Sequence, residues 1–141
     1  MDFPLAGLLR IRDAQERQAA ETLSRANADV AQAEADERSV VAALADISGE
    51  IDDAATLMAM AAARAAGRSA LRDLQALLEM RRVEAEDARA AHIEARREVK
   101  GLERLETAHL VAASRAQQRA EQGVLDEIAV MRAARLSGGA A

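Results

Sequence analysis

The feature that most constrains this chain is a run of apolar residues spaced alternately by three and four. With heptad position a at Leu23, Val30, Glu37, Leu44, Ile51 and Met58, and d at Ala19, Ala26, Ala33, Val40, Ile47 and Ala54, eleven of the twelve positions are apolar. That spacing gathers them on one helical face, the pattern of a helix packed lengthwise against another. Alanine recurring at d lets the second helix come close, so that the larger residues at a reach across. Glu37 is the exception: it lies at a widening of the seam, pairs with an Arg of the second helix, or marks the register.

Composition agrees with a thin seam and argues against a thick core. Half of the 141 residues count as hydrophobic, but 37 of them are Ala, and there is one Phe, one Pro and no Tyr, Trp or Cys. A methyl group removes little surface from water. Long helices and coiled coils have this composition.

The two helices need a turn, and the stretch Ala66-Gly67-Arg68-Ser69-Ala70 supplies helix-stop and helix-start chemistry back to back. Gly67 can adopt the left-handed conformation that ends a helix, and Ser69 can accept a bond from the free N–H groups that begin the next. The expected fold is therefore all-α, one antiparallel two-helix hairpin with a turn near Gly67-Ser69. Helix 1 is expected over about residues 4–66, helix 2 over about 69–136, and residues 137–141 as a frayed tail. The alternative is a single rod in which Gly67 is one poor helix residue, at a cost of about 1 kcal/mol relative to Ala. Asp2 and Pro4 suit a first turn whose N–H groups have no helical partner. Ser48-Gly49 reads as a soft spot inside helix 1, and Asp46, Glu50, Asp52 and Asp53 as a solvated acidic cluster or a face for a basic partner.

Helix 2 continues the repeat through Leu71, Leu78, Ala85, His92 and Val99 at a and Leu74, Ala88, Ala95 and Leu102 at d, with Arg81 interrupting the d series. Leu105 follows Leu102 by three residues where four is expected, so a register slip is expected there, with the seam resuming through Ala112, Ala116, Val124, Ile128 and Met131. Glu21 with Arg25, and Glu34 with Arg38, are four-residue pairs worth tenths of a kcal/mol. Around the turn, Leu57, Met60, Leu71, Leu77 and Leu78 exceed what one seam can bury, marking a partner site, self-association or packing within the tip.

Several function classes are disfavoured. The formal net charge is -5, and phosphate binding relies on clustered cations, so nucleic acid is not the expected partner. Residues 1–66 carry 6 Arg against 12 acidic residues, while residues 67–141 carry 13 basic against 12 acidic. This asymmetry tilts pairing toward one half with the other, weakly, because surface pairs are screened. No run of about 18 apolar residues could cross a membrane, and the N-terminus lacks the features of a secretory signal. His92 and His109 lie about 25 Å apart on one helix at 1.5 Å per residue and cannot share a metal. No Gly-rich phosphate loop, nucleophile elbow or zinc-binding helix motif is present, so neither a catalytic residue nor a cofactor or metal site is expected.

The two ends carry a family resemblance. Phe3-Pro4-Leu5-Ala6-Gly7-Leu8-Leu9-Arg10-Ile11-Arg12, followed by Glu16, Ala19 and Leu23, resembles the opening of the flagellar FliJ family. Lys100, Leu102, Glu103, Leu105 and Glu106 resemble its Lys-x-Leu-Glu-x-Leu pattern, and Glu121-Gln122, Leu125-Asp126-Glu127 and Arg132 its close. Departures are the scarcity of aromatic residues and lysine, of which only Phe3 and Lys100 remain.

The resemblance implies a non-enzymatic stalk of the flagellar type III export apparatus. It would link the hexameric export ATPase to the membrane export gate protein from the cytoplasmic side at the flagellar base, with export chaperones as further partners and membrane association only through partners. The implied ATPase-end residues are Phe3, Leu5, Leu8, Asp126, Glu127 and Arg132; the implied gate-end residues are Leu57, Met60, Leu71, Leu77 and Leu78. The alternatives are a free-standing coiled-coil scaffold or homodimer, and the equivalent stalk of a virulence-type secretion system.

Overall fold

The computed structural model describes residues 2–139. Its two helices are α1, Ala6–Ala45, and α2, Ala54–Gly138. Rising residue numbers on α1 meet falling numbers on α2: Glu16 pairs with His92, Asp29 with Arg81, Glu34 with Arg82, and Ile47 with Arg64. This is an antiparallel hairpin. By internal contacts the chain divides into one unit of Met1–Asp13 with Arg97–Ala141 and a second of Ala14–Arg96.

The turn is not at Gly67-Ser69; it spans residues 46–53. The start signal that decided this is Asp53. Its carboxylate oxygen Oδ1 accepts the backbone N–H of Thr56 at 2.7 Å, the bond of an N-cap residue to the third position of its helix. The stop comes where Ser48-Gly49 follows α1, and Arg64 of α2 donates to the Ile47 carbonyl at 3.1 Å, satisfying an acceptor just past the helix end. So the soft spot and the acidic cluster are the turn itself.

Gly67 instead lies inside α2 with an ordinary negative φ. A Cβ there would run into the Leu44 side chain, so the glycine makes room for α1. Ser69 is helical and exposed. At the other end α1 starts at Ala6, with the Ala6 N–H on the Phe3 carbonyl at 3.1 Å. Ser137 and Gly138 are still helical, Gly139 forms the closing turn, and the remainder of the expected tail, Ala140 and Ala141, lies outside the described residues.

Within the second unit the heptads hold. Buried or half-buried positions on α1 include Ala19, Leu23, Ala26, Val30, Ala33, Glu37, Val40 and Leu44, and on α2 Gly67, Leu71, Leu74, Leu78, Arg81, Ala85, Ala88, His92 and Ala95. Arg81 does not break the seam: its guanidinium reaches Asp29 across it at 3.9 Å and Glu84 along its own helix at 3.0 Å. Glu34 turns to Arg82 across the seam at 3.6 Å, and not to Arg38 on its own helix. Ile51 and Met58, assigned to the repeat, are 57 % and 72 % exposed, because the chain has left the α1 helix before reaching them.

In the terminal unit α2 keeps its three-four alternation through Val99, Leu102, Glu106, His109 and Ala113. The expected slip at Leu105 does not occur. Leu105 is 53 % exposed, and two polar residues take seam positions in its place. Apolar spacing alone pointed to the leucine, whereas the helix simply kept its period.

Candidate partner-binding surfaces

At the start of the chain, Phe3 folds back so that its ring lies 5.7 Å from that of His109, tilted by 50°. His109 Nε2 is buried there and has no hydrogen-bond partner among the described residues. Arg12 pairs with Glu98 at 2.9 Å, fixing the first turns of α1 on α2. An open groove beside this contact is lined by Asp2, Phe3, Arg10, Asp13, Glu106 and Leu110. Leu5 and Leu8 are more than a third exposed.

Beyond Ala113 nothing covers α2: every residue from Ser114 to Gly139 is exposed. Val124, Ile128 and Met131 are spaced by four and three on one face of α2, one position away from the frame of the covered seam, and stand bare, with Leu125, Val130 and Leu136 exposed around them. On the flanks Gln117 donates to Glu121 and Gln122 to Asp126, each at 3.0 Å, which holds those carboxylates along the helix.

The expected ATPase-end residues are thus not one patch. Phe3, Leu5 and Leu8 lie with the start of α1, and Phe3 touches His109, whereas Asp126, Glu127 and Arg132 come later on α2, the first of them about 25 Å past His109 at 1.5 Å per residue. Between the two groups runs bare helix. The sequence signal for this was available: the Asp53 cap shortens α1 and leaves the end of α2 without a partner.

At the turn, the expected gate-end residues separate by burial. Leu78 is 4 % exposed and is seam core; Leu71, Leu77 and Met60 are half-buried; Leu57 is exposed. The excess over the seam is therefore smaller than expected, because Leu71 and Leu78 face α1. The apolar surface left at the tip consists of Ile51, Leu57 and Met58. Asp53 titrates below the ordinary carboxylate range because the Thr56 backbone N–H, and then the Thr56 side chain, bond its charged form.

Among the described residues no group of His, Asp and Glu could hold a metal ion. Among the same residues no helix is long and apolar enough to cross a membrane. What the geometry offers is exposed apolar helix, flanked by charge, at two places.

The family model described as Flagellar FliJ protein matches residues 1–138. The chain belongs to the FliJ family. Comparison with curated proteins gave no match, and neither did comparison with solved structures. Membership makes this FliJ-family chain a component of flagellar protein export and biogenesis. It also gives the two-helix hairpin and the bare surfaces a setting, since a family of export-apparatus proteins of this kind works through contacts with other export components.

Proposed function

We propose that this chain is a non-enzymatic linker of the flagellar type III export apparatus. It works on the cytoplasmic side of the membrane and connects the hexameric export ATPase with the membrane export gate. The observation that carries the reading is the bare end of α2 in a FliJ-family chain: about 25 residues of helix that carry exposed Val124, Ile128 and Met131 and have no α1 against them.

In this reading the terminal unit serves the ATPase. Leu5, Leu8 and the stripe of Val124, Ile128 and Met131 supply apolar contact, and Asp126, Glu127 and Arg132 supply flanking charge that selects orientation. Ile51, Leu57 and Met58 at the turn serve the gate, where large apolar side chains left in water favour a partner. Each surface suits a helix or groove laid along it. No step of chemistry belongs to the chain; hydrolysis belongs to the ATPase.

The test is capture of the hexameric ATPase from a native extract by the tagged chain, repeated with residues 114–141 deleted and with Ile51→Ser/Leu57→Ser/Met58→Ser. Deletion should abolish ATPase recovery while the rest of the hairpin stays helical, and the triple variant should lose only the gate protein. Undiminished ATPase capture by the deleted chain would falsify the assignment of the terminal unit.

A further inference from the structure

The seam of this hairpin admits more than one register, because a heptad repeat superimposes on itself when slid by whole heptads. In the observed register Ala26, Val30 and Ala33 face the part of α2 that holds Ala85, Arg81 and Leu78, with Asp29 meeting Arg81. The a and d positions of α1 do not end where α1 ends. Ile47, Ile51, Ala54 and Met58 carry the same frame through the turn and into the first residues of α2.

Two further observations bear on this. Gly67 and Ser69, a glycine stop and a serine cap two residues apart, lie unused as punctuation inside α2. Ile51 and Met58, which carry the α1 frame past its end, are 57 % and 72 % exposed, and α2 beyond Ala113 has no helix over the continuation of its seam through Ala116, Ala120 and Gly123. Sliding α1 by four heptads answers both. Helix 1 then runs on through residues 46–66, the turn moves to Gly67-Ser69, Ile51 and Met58 enter the seam, and the first residues of α1 lie over the bare residues beyond Ala113.

We propose that the chain has this second hairpin register, and that Arg81 is what holds the observed one. Arg81 is the one charged residue in the α2 seam between Gly67 and Ala88. In the observed register it finds Asp29 across the seam; four heptads away the residue facing it is Met58, which offers no acceptor. A charged residue in an apolar seam fixes register in this way: the pair with Glu84 lies along α2 and is the same in both registers, but the second alignment takes away the acceptor across the seam. The Ser48-Gly49 stop and the Asp53 cap add to the preference for the observed turn. The two packings share most of their apolar surface, the condition under which one sequence can hold two arrangements.

The chain has no cysteine, so introduced pairs report cleanly. Ala26→Cys/Ala85→Cys joins facing seam positions in the observed register. Ala54→Cys/Ala85→Cys cannot close within a chain there, since both lie on α2 about 46 Å apart at 1.5 Å per residue, but it closes in the second register. Oxidation at low concentration, resolved by mass to separate intramolecular links from dimers, is done in the natural background and with Ser48→Ala/Gly49→Ala/Arg81→Leu. We expect the Ala54–Ala85 link to rise at least tenfold in the triple background while the Ala26–Ala85 link falls. An Ala54–Ala85 link at background in both, with the Ala26–Ala85 link intact, overturns the proposal. If the triple variant loses its helical circular dichroism, Arg81→Leu alone decides by the same two links.

Discussion

Gly67 and Leu44 occupy one space: the Leu44 side chain fills the volume that a Cβ on Gly67 would need. The glycine is therefore a packing residue, and its helical φ shows that its backbone freedom is not in use.

Gly67→Leu should destabilise the hairpin by about 1 to 3 kcal/mol through overpacking, even though leucine is the better helix former. Leu44→Ala in the same chain should recover part of that loss. A double-mutant cycle in urea checks it, and additive effects would show that the two residues do not share the space.

Asp53 should be the strongest local determinant of the turn. Asp53→Ala should lower the melting temperature, and Asp53→Asn should lower it less, because Asn also caps. The carboxyl titrates below its ordinary value of 3.8 in the folded chain. Its contribution is then fully present above the unfolded value and is lost as pH falls through the folded one. The stability difference between the natural chain and Asp53→Ala should therefore vanish in strong acid and be constant near neutrality, as melting curves across pH would show.

Glu16 and His92 meet at 3.0 Å with each side chain only 22 % exposed. Either single replacement by Leu should cost stability, since it leaves the other group half-buried without its partner, by about 1 to 3 kcal/mol. The double replacement Glu16→Leu/His92→Leu should be close to neutral or stabilising. Chemical denaturation of all four chains decides it; a double variant as weak as the worse single one would mean that the pair contributes by more than mutual satisfaction.

The end of α2 should be separable from the hairpin. Removing residues 114–141 should change the unfolding free energy by less than about 0.5 kcal/mol, because residues 114–139 have no cover to lose, while helical ellipticity drops with the helix removed. Their amides should also exchange fastest of any helical segment, a lone helix of this length being marginal in water.

Much of the architecture was legible because it follows from period and composition. The heptads of α1 from Ala19 to Leu44 and of α2 from Leu71 to Leu102 needed only the spacing of apolar side chains, and both helices carry them. The place of the turn is not legible in the same way, because two places have stop-and-start chemistry, Ser48-Gly49 with Asp53 and Gly67 with Ser69. The pair that won, Ser48-Gly49 and Asp53, stood inside an unbroken heptad frame that argued for continuing the helix. The position of the turn also decides how much of the tip is buried. Leu71 and Leu78, at heptad position a, are covered by α1, and the shorter α1 leaves the end of α2 bare.

By itself, then, the sequence determined that the chain is helical, that its helices pair through a narrow alanine-rich seam, and that it holds no motif for chemistry. These depend on local propensity and on which side chains share a face. The tertiary structure alone decided the register: which residue of α1 meets which residue of α2. A repeating seam is nearly indifferent to sliding by whole heptads, and only contacts across it, Leu44 in the space at Gly67, Asp29 with Arg81 and Arg64 on the Ile47 carbonyl, distinguish one alignment from the next. Register in turn fixes where the turn falls and which apolar residues remain for partners.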